Sequence, residues 1–231
     1  MKKINLFASS LLIFFFIQLS TYNSFAQKQH QMNSGEILHH MKKLNVLGSV
    51  LYVAAHPDDE NTRLIAYMAK ERQYQTAYLA MTRGDGGQNL IGNEQGIELG
   101  LIRTQELLAA RRIDGGQQFF TRAFDFGYSK RTDEALAIWD KEKVLADAVW
   151  VIRNFKPDVI ITRFPEDSRA GHGHHSGSAV IAREAFVAAA DPGRFTEKFK
   201  NCVGTRKAKI KLLKTISFCN NNNTAEKQNK K

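Results

Sequence analysis

Cysteine is scarce in this chain: 231 residues carry two, Cys202 and Cys219, both near the C-terminus. No cysteine sits near the histidines, which argues against a structural cysteine–zinc site. After export the two can pair as a disulfide or remain free thiols. Long apolar runs are equally rare. Leu6 to Ile17 is too short to cross a bilayer, and no other segment is apolar enough to do so. Lys2 and Lys3 precede that run and Ser24-Phe25-Ala26 follows it. The pattern reads as a secretory signal over residues 1–26, with Gln27 opening the mature chain. The expectation is an exported protein, periplasmic or extracellular, with no membrane span after cleavage; an uncleaved anchor is the alternative.

Acidic residues are nearly absent from the two ends, and this explains a net charge of +10 that otherwise suggests nucleic acid. Residues 1–27 carry +2 and residues 198–231 carry +9, which leaves the body, residues 28–197, at −1. A near-neutral body excludes a specific nucleic-acid partner, while a basic tail binds anions non-specifically. No internal repeat is visible. No G-x-G-x-x-G follows the first strand, which removes the dinucleotide fingerprint.

What is present is an alternation of short apolar runs and helical patterns. Ser34 to Leu44 reads as a short helix. Strands are expected at Ser49–Ala55, Thr76–Met81, Gln118–Ala123 and Val159–Thr162. Helices are expected at Asn61–Arg72, Ile97–Ile113 with Leu101, Leu107 and Leu108 inward, Glu134–Asn154, and Ser176–Ala190. Strands too apolar to face water on either side imply an α/β fold with a mostly parallel sheet covered by helices on both faces. From about Lys198 lysine dominates, and Asn220 to Asn223 is low in complexity. Ala208 to Phe218 can add one edge strand, and the last dozen residues read as disordered. The divisions are thus a signal, a domain over 27–197 and a basic tail over 198–231, the tail being consistent with a truncated or frame-disrupted product.

Two clusters carry chemistry. The first, His56-Pro57-Asp58-Asp59-Glu60, closes an apolar strand, at the edge where open α/β sheets bind ligands. Imidazole and carboxylate are proper zinc ligands. One aspartate can bind an ion while its neighbour takes a proton from water at the open position. The plain alternative is that Asp58 or Asp59 caps the next helix. The second cluster, His172-Gly173-His174-His175, follows the strand at 159–162. Gly171 and Gly173 let the backbone turn, and His172 and His175 share a face at i, i+3. A catalytic zinc takes three protein ligands and keeps one position open. His56, Asp59 and one of these histidines supply that number. The glycine-rich loop Thr82 to Asn89 can line the same crevice, with sugar hydroxyls as its partners. Arg103 and Glu106 form either a surface ion pair or a substrate contact, and Arg111-Arg112 reads as a solvated face. His30, His39 and His40 read as surface or packing residues.

Ala55-His56-Pro57-Asp58-Asp59-Glu60, then Thr82-x-Gly-Asp-Gly-Gly, then Glu98 to Glu106, then His172-x-x-His175 resemble, in that order, the PIG-L/LmbE-like deacetylases. The resemblance spans about residues 48–190. It implies a Rossmann-like fold and zinc-dependent removal of an N-acetyl group from an N-acetylglucosamine conjugate. It also implies His56, Asp59 and His175 as zinc ligands, Asp58 as general base, and a protonated His172 at the oxyanion or the departing amine. Arg103 is then a substrate contact, and Asp85, in the glycine-rich loop, is the second substrate-binding candidate. Many members carry aspartate between the paired histidines where this chain has Gly173 and His174, so His174 competes as a ligand. A degenerate glycan-binding module and a metal-dependent phosphoesterase are the rival readings. The second would usually call for more carboxylates, bridging two ions.

Overall fold

A computed structural model describes residues 31–196 and the backbone of residues 211–214. The expected signal, both cysteines, His30 and most of the basic tail lie outside the described residues. The chain divides into two units at Lys42/Lys43. Helix α1 (Ser34–Lys43), in the first unit up to Lys42, opens with a reciprocal cap: Asn33 Oδ1 accepts from the Glu36 amide at 2.9 Å, and Glu36 Oε2 accepts from the Asn33 amide at 2.8 Å.

The second unit holds a parallel sheet. Its strands are β1 (Ser49–Ala54), β2 (Gln75–Ala80), β3 (Gln117–Phe120), β4 (Val159–Thr162) and β5 (Lys211–Lys214), in the order β3-β2-β1-β4-β5. β5 falls inside the expected edge segment and pairs with β4, Val159 opposite Lys211. Helix α2 (Thr62–Ala66) continues as a π-helical turn through Glu71. It is followed by α3 (Ile97–Asp114), α4 (Thr132–Ile138), α5 (Lys141–Phe155) and α6 (Gly173–Ala190).

Alternation along β1 explains the two covered faces. Leu51 and Val53 point into a core with Val144, Leu145 and Val149 of α5 and Ile181 and Ala185 of α6. Tyr52 and Ala54 point the other way, into a core with Ile65 of α2 and Leu107 of α3. Every residue of β1 is buried, which is why the strand is continuously apolar. After β3 the chain crosses to the far side of β1. The sheet therefore reverses its order between β1 and β4, and the crevice at their C-terminal ends is a topological switch point.

Four sequence readings need correction. The helix expected over 134–154 is two, broken where Trp139 turns into the core and Asp140 adopts a left-handed φ of 57°. Trp139 is held there by its indole N–H, which donates to the Phe124 carbonyl at 3.0 Å. Leu101 is 62 % exposed, and Leu99 and Leu107 are the buried leucines of α3. Arg111 is buried rather than solvated: its guanidinium donates to Asp114 at 2.6 Å and lies 3.5 Å from Glu60. Finally, Arg103 and Glu106 do not pair as a surface couple, because Arg103 turns back to Pro57 and Asp58.

Candidate metal centre

The loop after β1 is organised by Asp59. Its Oδ2 accepts from the His56 backbone amide at 2.7 Å and lies 3.2 Å from Nδ1 of the His56 ring. The His56 carbonyl is tied down in turn by the buried Tyr78 hydroxyl, which donates to it at 2.5 Å. Neither aspartate caps α2. That task falls to Asn61, whose side chain accepts from the Leu64 amide. Asp58 sits at φ 115°, a conformation costly for a non-glycine residue, on the order of 1–3 kcal/mol. Its side chain stays 66 % exposed, and its Oδ2 accepts from Arg103 at 3.0 Å. The same guanidinium donates to the Pro57 carbonyl at 2.6 Å. Arg103 therefore fixes the turn that presents Asp58.

The second cluster arrives on the N-terminus of α6. His172 is its N-cap, and ring Nδ1 accepts from the His174 amide at 3.0 Å. A nitrogen that accepts from an amide carries a lone pair, so the neutral ring keeps its proton on Nε2. Burial, with His175 and His56 alongside, drops the His172 pKa to about 4. The imidazole is therefore neutral near pH 7 in the metal-free protein. Gly173 is needed for close approach: its amide donates to the Ser129 carbonyl at 2.7 Å, and a Cβ there would collide with the Arg131 carbonyl and the Ser129 hydroxyl.

His175 reaches the first cluster. Its Nε2 lies 3.5 Å from Asp59 Oδ1, and its Nδ1 lies 3.0 Å from the Ala170 carbonyl, which can only accept. The neutral ring thus carries its proton on Nδ1 and turns the Nε2 lone pair to Asp59. Phe164 stacks on it with ring centroids 3.8 Å apart. A histidine anchored through one ring nitrogen with the other free is the arrangement expected of a metal ligand. His56, Asp59 and His175 form one potential metal set, with one donor atom each within 4.8 Å of one another. A second set, His56, His172 and His174, meets the same distance, but there the Nδ1 of His172 is committed to the helix cap. The mixed N/O set therefore fits an ion better.

Charges in the site are mutually adjusted. Burial works to lower the His56 pKa, but the hydrogen bond and charge of Asp59, with Asp125 behind, leave it above its usual value. Burial works to raise Asp59, and His56 and His175 more than offset it, so its carboxyl titrates low. His174 is fully buried, and desolvation plus the three other imidazoles push its pKa down to about 3.

A cleft of about 970 Å³ opens over these groups, with His56, Asp58, Arg103, Asp125, Tyr128 and His172 in its wall. Asp85 is not in that wall among the described residues. Its Oδ1 accepts from the Asp125 amide at 3.2 Å, so it braces the loop after β3. The sequence reading missed that loop. Asp125 is buried, with its carboxyl pushed up by burial, and lies 3.9 Å from His56 Nε2; Tyr128 stands edge-on to His172. The available signal was positional: Phe124-Asp125-Phe126 places an acid between aromatics just past a parallel strand, on the same sheet edge as His56.

Fold and site together define an α/β protein with a potential His/Asp metal set at the switch point of a parallel sheet. A model of the PIG-L family, GlcNAc-PI de-N-acetylase, matches residues 51–186, and the chain belongs to that family. Over 161 residues it is 33 % identical to 1D-myo-inositol 2-acetamido-2-deoxy-alpha-D-glucopyranoside deacetylase of Geodermatophilus obscurus, covering 62 % of this chain and 54 % of the relative. It is 30 % identical over 161 residues to mycothiol S-conjugate amidase of Streptomyces coelicolor, covering 64 % and 55 %. The chain thus spans about half the length of the curated relatives it matches. Its fold is shared with N,N'-diacetylchitobiose deacetylase of Pyrococcus horikoshii at a TM-score of 0.52 and 19 % identity, over 76 % of this chain and 68 % of the other.

Proposed function

We propose that this protein is a metal-dependent N-deacetylase acting on an N-acetylglucosamine-type conjugate, with zinc as its ion and activity outside the cytoplasm. The observation that carries the reading is the position of Asp59, between His56 Nδ1 at 3.2 Å and His175 Nε2 at 3.5 Å, with Asp58 and His172 facing the cleft beside it. The relatives named above, which act on or are named for acetamido sugars and amides, support it.

His56, Asp59 and His175 would hold the ion, and mixed nitrogen and oxygen donors suit zinc. Bound there, a divalent ion supplies Lewis-acid polarisation of the amide carbonyl and a lowered pKa for water. Asp58 takes a proton from the attacking water. Its Oδ2 is engaged by Arg103, which leaves Oδ1 for the proton. The neutral His172 donates from Nε2–H to the carbonyl oxygen as negative charge develops there. A neutral donor serves this purpose without a protonation step, as in other enzymes where a helix N-terminus keeps a catalytic imidazole uncharged. When the C–N bond breaks, the proton held on Asp58 passes to the departing amine, and acetate and the free amino sugar leave. Arg103 positions Asp58, and Asp85 acts one step back, through the Asp125 loop.

Acetate release across a panel of N-acetylated saccharides, with and without a chelator, tests the proposal. Chelator-sensitive acetate release is expected. Phosphate release from generic phosphoesters without any acetate would replace it with the phosphoesterase reading.

A further inference from the structure

The His56 ring has two occupied edges. Nδ1 faces Asp59 Oδ2 at 3.2 Å, and Nε2 faces Nδ1 of His174 at 2.9 Å. We infer that His174 is a positioning residue whose Nδ1 accepts the Nε2–H of His56 and so fixes the tautomer that leaves His56 Nδ1 free for the ion. The inference rests on the metal set proposed above. An ion shared by His56 and Asp59 requires a bare Nδ1 on His56. The neutral ring then holds its proton on Nε2. The group facing that proton at hydrogen-bonding distance is His174 Nδ1, which must carry a lone pair. His174 is left with its own proton on Nε2.

That last atom is buried and has no hydrogen-bond partner among the described residues. A buried unsatisfied N–H costs free energy, and such groups are rare enough to need a reason. The reason lies on the opposite edge of the same ring, where the lone pair is required. Trp139 and Phe126 hold the ring in place, with centroids 4.7 Å and 4.3 Å from it. Asp125 sends Oδ2 to within 3.9 Å of His56 Nε2 and Oδ1 to within 3.8 Å of His174 Nδ1. Both distances exceed a hydrogen bond, so Asp125 adds negative potential without replacing the acceptor. Outer partners of this kind orient the ligand and raise its basicity, and their loss typically weakens metal binding about 10–100-fold.

The test measures zinc affinity by competition with a chromophoric chelator, on wild type, His174→Phe, His174→Asn and Asp59→Asn. The melting temperature of each metal-free protein is recorded alongside. His174→Phe keeps the aromatic packing and removes the acceptor; zinc affinity should fall about 10–100-fold. His174→Asn restores a carbonyl acceptor and should recover part of that loss. Nitrogen-15 spectra of the zinc-loaded wild type should show His56 protonated at Nε2 and coordinated at Nδ1. Should the phenylalanine variant fold poorly, the asparagine variant and the spectrum decide. Wild-type zinc affinity in His174→Phe overturns the inference, as does a His56 protonated at Nδ1. Retention of zinc by Asp59→Asn together with its loss in His174→Phe overturns it too, by making His174 a ligand. Failure of the acetate assay with these affinities as expected would sink the deacetylase reading alone.

Discussion

The two halves of the candidate site are built in opposite ways. The half after β1 is local: within four residues, Asp59 binds the amide and ring of His56, and Asp58 is turned outward through a strained φ. The half on α6 is assembled by distant contacts. Gly173 rests against Ser129 and Arg131, His175 is anchored by Ala170 and Phe164, and His174 is packed by Trp139 and Phe126. A short loop defines which donors exist, and the tertiary frame defines which ring nitrogen each histidine offers. Changes in the first half should therefore remove chemistry at constant fold, and changes in the second should remove geometry.

The largest expected effect is chemical. Asp58→Asn keeps the size of the side chain and an oxygen for Arg103, and loses the proton acceptor. We expect kcat for acetate release to fall about 10³-fold, with zinc content and melting temperature unchanged. Near-wild-type turnover would remove Asp58 as the base.

Next comes acid sensitivity, which should originate in the second half. His172 and His174 titrate near 4 and 3 in the folded protein, against about 6.5 unfolded. The unfolded chain binds more protons between those values, so stability rises with pH through that window and levels off above about 6.5. His56 has the opposite sign: its raised pKa gives stability that is full below about 6.5 and declines as pH rises through the folded value. Lowering the pH of the metal-free protein from 7 to 4.5 should cost on the order of 2 kcal/mol from the buried His174 alone. Thermal melts of metal-free wild type and His174→Asn across that range provide the check. An equal acid slope in both proteins would mean that His174 is not the source.

The same contrast explains what the sequence disclosed. The α/β class, the positions of the strands and the ligand types in His56 to Asp59 followed from local pattern: a fully buried strand reads as a continuous apolar run, and a histidine–proline turn with two acids at its end has few structural uses. Loop 121–129 left only a positional trace, because Asp125 acquires its place only when β3 aligns with β2 and Gly86 lets the two loops close, a Cβ at Gly86 colliding with the Asp125 carbonyl. The break at Trp139–Asp140 was hidden for a related reason. Helical periodicity runs through it, and only the burial of Trp139 beside His174 shows why the helix must stop. Arg111 looked solvated beside Arg112 because its partners, Asp114 and Glu60, come one from its own helix and one from the distant first cluster.

The smallest effect isolates the frame from the chemistry. Gly173→Ala adds one methyl at the point where α6 meets the Ser129–Arg131 segment, and there is backbone as well as a hydroxyl in its way. The helix itself favours alanine over glycine by about 1 kcal/mol, so propensity alone predicts a gain. Overpacking typically costs about 1–3 kcal/mol, and here the obstructing Arg131 carbonyl cannot rotate away as a side chain would. The two terms leave a net destabilisation of up to about 2 kcal/mol, visible as a lower melting temperature. Relief of the clash moves the start of α6 outward, and His172 and His175 move with it, so zinc affinity should drop while Asp58 and its Arg103 contact are untouched. A variant that melts higher than wild type and binds zinc equally well would show that the second half does not depend on this contact and that α6 is positioned by its apolar face alone.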